Sequence, residues 1–176
     1  MSSIHRKRTV RKTTLIYGEG SDDQCWLNYL KSLFAKEKTV KIKNGGGGSP
    51  DSVIKRMVGD ISFNDYDGKI ALLDTDRPEF IEAKNLANEH SITLIPSNGC
   101  IELELLELLR IIYPKKVSGA ALKRARANSH QAKVEFKKVC EHSPNAYAKF
   151  FTNETLIEAR SSSTWLDMLL AALEAA

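Results

Sequence analysis

Three cysteines in 176 residues, Cys25, Cys100 and Cys140, are too few and too scattered for a disulfide framework, and none has the paired spacing of a zinc ribbon. A reducing cytoplasm is the compartment this predicts. No apolar run approaches the roughly 20 residues that cross a bilayer, and the start of the chain has no signal-peptide apolar region, so a soluble protein that is not exported is expected. Glycine clusters only over residues 45–48. No Gly-Lys-Ser/Thr follows, which excludes a P-loop for nucleoside triphosphates. The four histidines, His5, His90, His130 and His142, show no paired spacing and read as surface or helix residues.

What is present begins with charge. The net formal charge is only +4, but Arg6, Lys7, Arg8, Arg11 and Lys12 crowd the start without an acid. A second basic zone holds Lys115, Lys116, Lys123, Arg124, Arg126, Lys133, Lys137 and Lys138 against Glu135 alone. Such zones suit phosphate contacts on nucleic acid, although solvated helix faces look the same and no aromatic residues interleave these ones. The candidate backbone contacts are Arg8, Arg11, Lys12, Lys123, Arg124 and Arg126, with Lys41 and Lys43 beside the glycine run. That run can let a phosphate backbone approach closely or serve as a flexible linker.

Short apolar runs at 14–17, 39–43, 70–73 and 91–95 read as strands, and amphipathic stretches between them read as helices. The first helix starts near Ser21, with Ser21-x-x-Gln24 as a capping box, and lays Trp26, Tyr29, Leu30 and Leu33 on the sheet. Ser49-Pro50 opens a second helix, and Pro78 a third with Phe80, Ile81, Ala83 and Ala87 inward. Asn98-Gly99 turns the chain into a helix over 101–112, which Tyr113-Pro114 stops. Helical character continues to the end, where Thr164-x-x-Asp167 caps a last apolar helix. Strand and helix alternation of this kind predicts an α/β fold, a mostly parallel four-stranded sheet covered on both faces and followed by a helical C-terminal part. The expected organisation is a basic arm over 1–12, an α/β domain over 13–112, and a helical extension over 113–176 packed on it.

The strands at 14–17 and 70–73 each end in acid: Gly18-Glu19-Gly20 follows the first, and Asp74-Thr75-Asp76 the second. In open parallel sheets ligands sit outside the carboxyl ends of the strands, so these acids can converge. Asp74 and Asp76, two residues apart, leave the same side of a strand end. Carboxylates within about 5 Å repel by roughly 3 kcal/mol per pair at an effective dielectric near 20, so a cluster of them calls for a cation. Oxygen ligands favour Mg2+, with Mn2+ as a substitute. Asp22 is explained as a helix-dipole partner. Asp23 and Glu102 are each open to that reading or to service as a further metal ligand.

The stretches Leu15-Ile16-Tyr17-Gly18-Glu19-Gly20 and Leu72-Leu73-Asp74-Thr75-Asp76 resemble the TOPRIM domain of topoisomerases, primases, maturation ribonucleases and OLD-type nucleases. Three further segments resemble its RloB-like branch: the glycine run with Ser49-Pro50, the segment Pro96-Ser97-Asn98-Gly99-Cys100-Ile101-Glu102-Leu103, and Ser162-Ser163-Thr164. That branch is associated with restriction and antiphage defence, often beside an ATPase partner. The resemblance implies a Mg2+-dependent nuclease acting on DNA or RNA. Glu19 would be metal ligand or general acid/base, Asp74 and Asp76 would bind the ions, and Asp23 and Glu102 would complete the set. Gly99 stands where relatives often carry proline, and a looser turn is expected there. An Asp-x-Asp pair after an apolar strand also fits a HAD-like phosphatase, which would leave Glu19 unexplained. A non-catalytic nucleic-acid-binding or partner-docking module is the third reading.

Overall fold

The structure is a computed structural model that describes residues 12–36 and 39–175. It is an α/β fold built on four parallel strands, β1 (Thr13–Gly18), β2 (Thr39–Asn44), β3 (Gly68–Asp74) and β4 (Thr93–Ser97), in the order β2-β1-β3-β4. From β1 the chain steps outward to β2, then returns to β3 on the other side of β1. The gap between β1 and β3 is therefore the point where strand order reverses, and crevices at such points receive ligands in open α/β sheets.

Alternation along the central strands sorts the core into two layers. Leu15, Tyr17, Ala71 and Leu73 face α2 (Pro50–Phe63) and α3 (Phe80–Glu89), while Ile16, Ile70 and Leu72 face the other layer. That layer starts with α1 (Ser21–Phe34) and α4 (Ile101–Ile112). It continues through α5 (Gly119–Ala125), α6 (Ser129–Lys137), α7 (Pro144–Tyr147), α8 (Asn153–Arg160) and α9 (Thr164–Ala175), whose buried residues join the same apolar cluster. Trp26 is its centre, edge-on to Tyr147 and Phe151 at 5.0 Å and stacked near Trp165 at 6.5 Å. These contacts fix the segment after α6 against α1. No described helix is long and apolar enough to cross a membrane.

Several local expectations are corrected. Ile81 is 71 % exposed, because α3 is short and its buried stripe is Ala83 and Ala87. The helix α1 is closed by Asp23, whose carboxylate accepts from the Gly20 N–H at 2.8 Å, in place of Ser21 and Gln24. At α9 the Ser163 hydroxyl accepts from the Leu166 N–H, and Asp167 instead pairs with Arg160. Gly99 does not loosen its turn: its φ of +88° is closed to proline, and its N–H donates to Thr75 Oγ1 at 3.0 Å.

Candidate metal centre at the carboxyl ends of the strands

Because all four strands are parallel, their carboxyl ends share one edge, and β1 and β3 are neighbours there. Glu19 follows β1 directly. Its side chain turns toward β3, where Oε2 accepts from the Asp74 N–H at 3.2 Å. Its backbone is fixed as well, since the Glu19 carbonyl accepts from the Gly47 N–H at 2.9 Å. The glycine run is thus pinned to the end of β1, with Arg56 and Arg77 also donating to the carbonyls of Gly47 and Gly48. Positive φ at Gly46, Gly47 and Gly48 is what lets it double back over the site.

A cleft of about 240 Å³ opens here, lined among others by Glu19, Asp22, Asp23, Asp74, Glu102, Gly48, Arg77 and Lys133. The amino ends of α1 and α4 bring in Asp23 and Glu102, only 5 % and 2 % exposed. Asp76 is exposed beyond the cleft wall and acts on Glu19 and Asp74 through its charge. Thus Glu19, Asp23, Asp74 and Glu102 line one cleft, and Asp76 lies outside its lining.

Burial dominates the electrostatics of this cluster. Burial pushes Asp74 up to about 9, helped by the charges of Asp23, Glu19, Glu102 and Asp76. Asp23 rises to about 7, again chiefly from burial, against the Gly20 N–H that draws it down. Glu19 is raised by burial, partly offset by the Asp74 N–H and by Arg77. At Glu102 burial also pushes upward, but the facing His142 ring, the helix N–H and Lys133 outweigh it and hold the carboxyl below its ordinary range. One buried oxygen on each of Asp23, Asp74 and Glu102 has no hydrogen-bond partner. Orphaned buried carboxylate oxygens are costly unless a proton or a cation satisfies them; all-oxygen donors of this kind suit a hard divalent ion, and a proton is what the metal-free site uses instead.

Asp22 and His142 stand beside Glu102 in a way their sequence positions do not announce. His142 follows α6, and its side chain is almost enclosed, with Nε2 3.4 Å from Glu102 Oε1 and 3.9 Å from Asp22 Oδ2. Asp22, Glu102 and His142 offer ligand atoms within 4.8 Å of one another, the closest such set among the described residues. These three can hold a metal ion. Nothing in the spacing of a histidine 40 residues beyond Glu102 signals this; the Trp26 cluster brings it there.

The basic candidates divide sharply. Arg124 is bidentate to Glu135, at 2.9 and 3.0 Å, and Arg126 is held by Glu107. Lys43 pairs with Asp60, and Lys41 reaches the Tyr66 hydroxyl, because alternation along β2 turns both toward the α2 layer. Lys12 precedes β1 and lies at the opposite, amino edge of the sheet, beside Gly68 and Thr93. Six strand residues separate it from the cleft, about 20 Å. Lys123 is exposed, and Arg8 and Arg11 lie outside the described residues. Two cations do reach the acids: Lys133, 3.8 Å from Glu102 Oε1, and Arg77, which also lines the cleft. The chain matches no protein-family model, no curated protein and no solved structure.

Proposed function

We propose that this protein is a Mg2+-dependent nuclease, with Mn2+ able to substitute, that hydrolyses phosphodiesters of DNA or RNA in the manner of TOPRIM enzymes. The observation that carries the reading is the group of buried, unpartnered carboxylate oxygens at the strand-order reversal, beside Glu19. Glu19 and Asp74 would hold the ion, with Asp76 supplying charge at the rim and Asp23 or Glu102 completing the set. Bound there, a divalent ion supplies an activated water and offsets charge on the leaving oxygen.

The chain's own groups account for the rest. Glu19, lining the cleft beside Asp74, would serve either as a ligand to the ion or as the general acid/base for water and leaving group. Lys133 and Arg77, both lining the cleft, would meet phosphate oxygens without reading bases. Gly47 and Gly48, lacking side chains, leave room for the backbone of the nucleic acid. Arg124, Arg126 and Lys43 are held by acids outside the cleft, so Lys123 and the two cleft cations are the better contacts.

Purified protein with Mg2+ or Mn2+ is expected to nick or degrade DNA or RNA. Asp74→Ala combined with Asp76→Ala is expected to abolish that activity while circular dichroism stays unchanged. A folded double variant that cuts as well as the parent would refute the assignment.

A further inference from the structure

We infer that Asp22, Glu102 and His142 form a second cation site, distinct in ligand chemistry from the all-carboxylate cluster and selective for a borderline metal such as Zn2+ or Co2+. The inference rests on these three side chains and stands whether or not the chain cleaves nucleic acid.

The geometry is close to what such an ion needs. Ligands about 2.0–2.1 Å from a tetrahedral metal are about 3.4 Å apart. His142 Nε2 and Glu102 Oε1 are already separated by 3.4 Å. Asp22 Oδ2, at 3.9 Å from the same nitrogen, belongs to a half-exposed side chain that can close the remaining gap by a small rotation. The 3.4 Å approach is not aligned as a hydrogen bond, and His142 Nε2 has no partner. Glu102, 98 % buried, keeps an unpartnered Oε2 beside it. A buried acid facing an unsatisfied ring nitrogen is an arrangement that one cation completes on both sides.

The surroundings support the ring as a ligand. Nδ1 lies 2.6 Å from the Tyr147 hydroxyl, which leaves Nε2 as the nitrogen turned to the carboxylates. With metal bound, Nδ1–H would donate to the Tyr147 oxygen, the outer contact that usually fixes a ligating imidazole. Tyr147 is itself fully buried against Trp26. Access is available, because His142 and Asp22 also line a second opening of about 400 Å³ together with Lys137 and Glu141. An imidazole with two carboxylates selects borderline cations over Mg2+, whose preference is for oxygen and water. Glu102, shared between this trio and the carboxylate cleft, would couple the two sites.

The test uses the full chain, free of metal, titrated with Co2+ alone and read by visible absorption, and with Cu2+ read by nitrogen coupling in the electron paramagnetic resonance spectrum. One Co2+ with ligand-field bands and coupling from one imidazole are expected. His142→Asn is expected to remove the nitrogen coupling and weaken Co2+ binding by at least tenfold, and Tyr147→Phe to weaken it by about 10-fold as an outer-contact loss. Asp74→Asn should leave the coupling in place. Because His142→Asn could disturb packing, its metal-free melting temperature is compared with that of the parent, and Asp22→Asn, at a half-exposed position, provides a second ligand deletion expected to weaken Co2+. No Co2+ binding, or binding that keeps its strength in both His142→Asn and Asp22→Asn, would overturn the proposal.

Discussion

Asp51 and Glu135 are as withdrawn from solvent as Asp23, yet they answer to opposite forces. Asp51 accepts from Lys55 at 2.7 Å, and Glu135 is gripped by Arg124 and Lys138; both are drawn down to about 2, first by those hydrogen bonds. Asp23 and Asp74 make no ion pair among the described residues and are pushed up to about 7 and about 9, first by burial. The same residue types thus appear in two states, one paired with the chain's own cations and one without an ion pair among the described residues. Structural acids come with a partner; the acids at the ends of β1 and β3 come with one another.

The largest expected effect that sharpens this contrast is Asp74→Asn. It removes a charge that the metal-free fold must suppress, so the melting temperature without metal is expected to rise by a few degrees, at roughly 2–4 °C per kcal/mol for a chain of this size. The same variant is expected to lose Mn2+-dependent stabilisation and cleavage. A fall in the metal-free melting temperature would place Asp74 with the structural acids.

Next comes pH. A carboxyl whose folded pKa lies above its unfolded value binds more protons when folded, so stability drops as pH rises from the ordinary carboxylate range through the folded value. For Asp23 and Asp74 that window runs from about pH 4 to about 7 and about 9. The lowered acids Asp51 and Glu135 contribute fully above pH 5 and do not tilt this window. Metal-free protein followed by thermal melting is therefore expected to lose stability between pH 5 and 9. Saturating Mn2+ should flatten the slope and release protons on binding. A metal-free profile that rises over this range would break the comparison.

Smaller effects follow on the completed side. Glu135→Gln frees Arg124 and Lys138 and is expected to lower the melting temperature, opposite in sign to Asp74→Asn, while leaving Mn2+ binding unchanged in calorimetry. Lys133→Ala is expected to weaken nucleic-acid binding modestly and to reduce the slope of log affinity against log salt by about 0.7–0.9, the value of one phosphate contact. An unchanged slope would remove Lys133 from the interface.

Much of the fold was legible because it is written in period. The apolar runs, the helix over 101–112 and its stop at Tyr113-Pro114, and acids directly after two strands all follow from local pattern. Parallel crossovers then force the β1 and β3 ends to one edge, so the approach of Glu19 to Asp74 was readable as well. What was not readable depends on contacts distant in sequence. His142 reaches Glu102 only because aromatic packing around Trp26 pulls the segment after α6 onto α1. Arg124 and Arg126 looked free because Glu135 and Glu107 lie on other helices, at 11 and 19 residues' separation. Cap choice at Gly20 and Ser163 turned on single-residue differences in where the helix begins.

The most direct test of the central claim is anomalous scattering from a crystal soaked in Mn2+. A manganese peak is expected within bonding distance of Glu19 and Asp74 side-chain oxygens, in the cleft where Asp23 and Glu102 keep unpartnered atoms. Saturated crystals with no peak there, or with Glu19 turned away from β3, would contradict it.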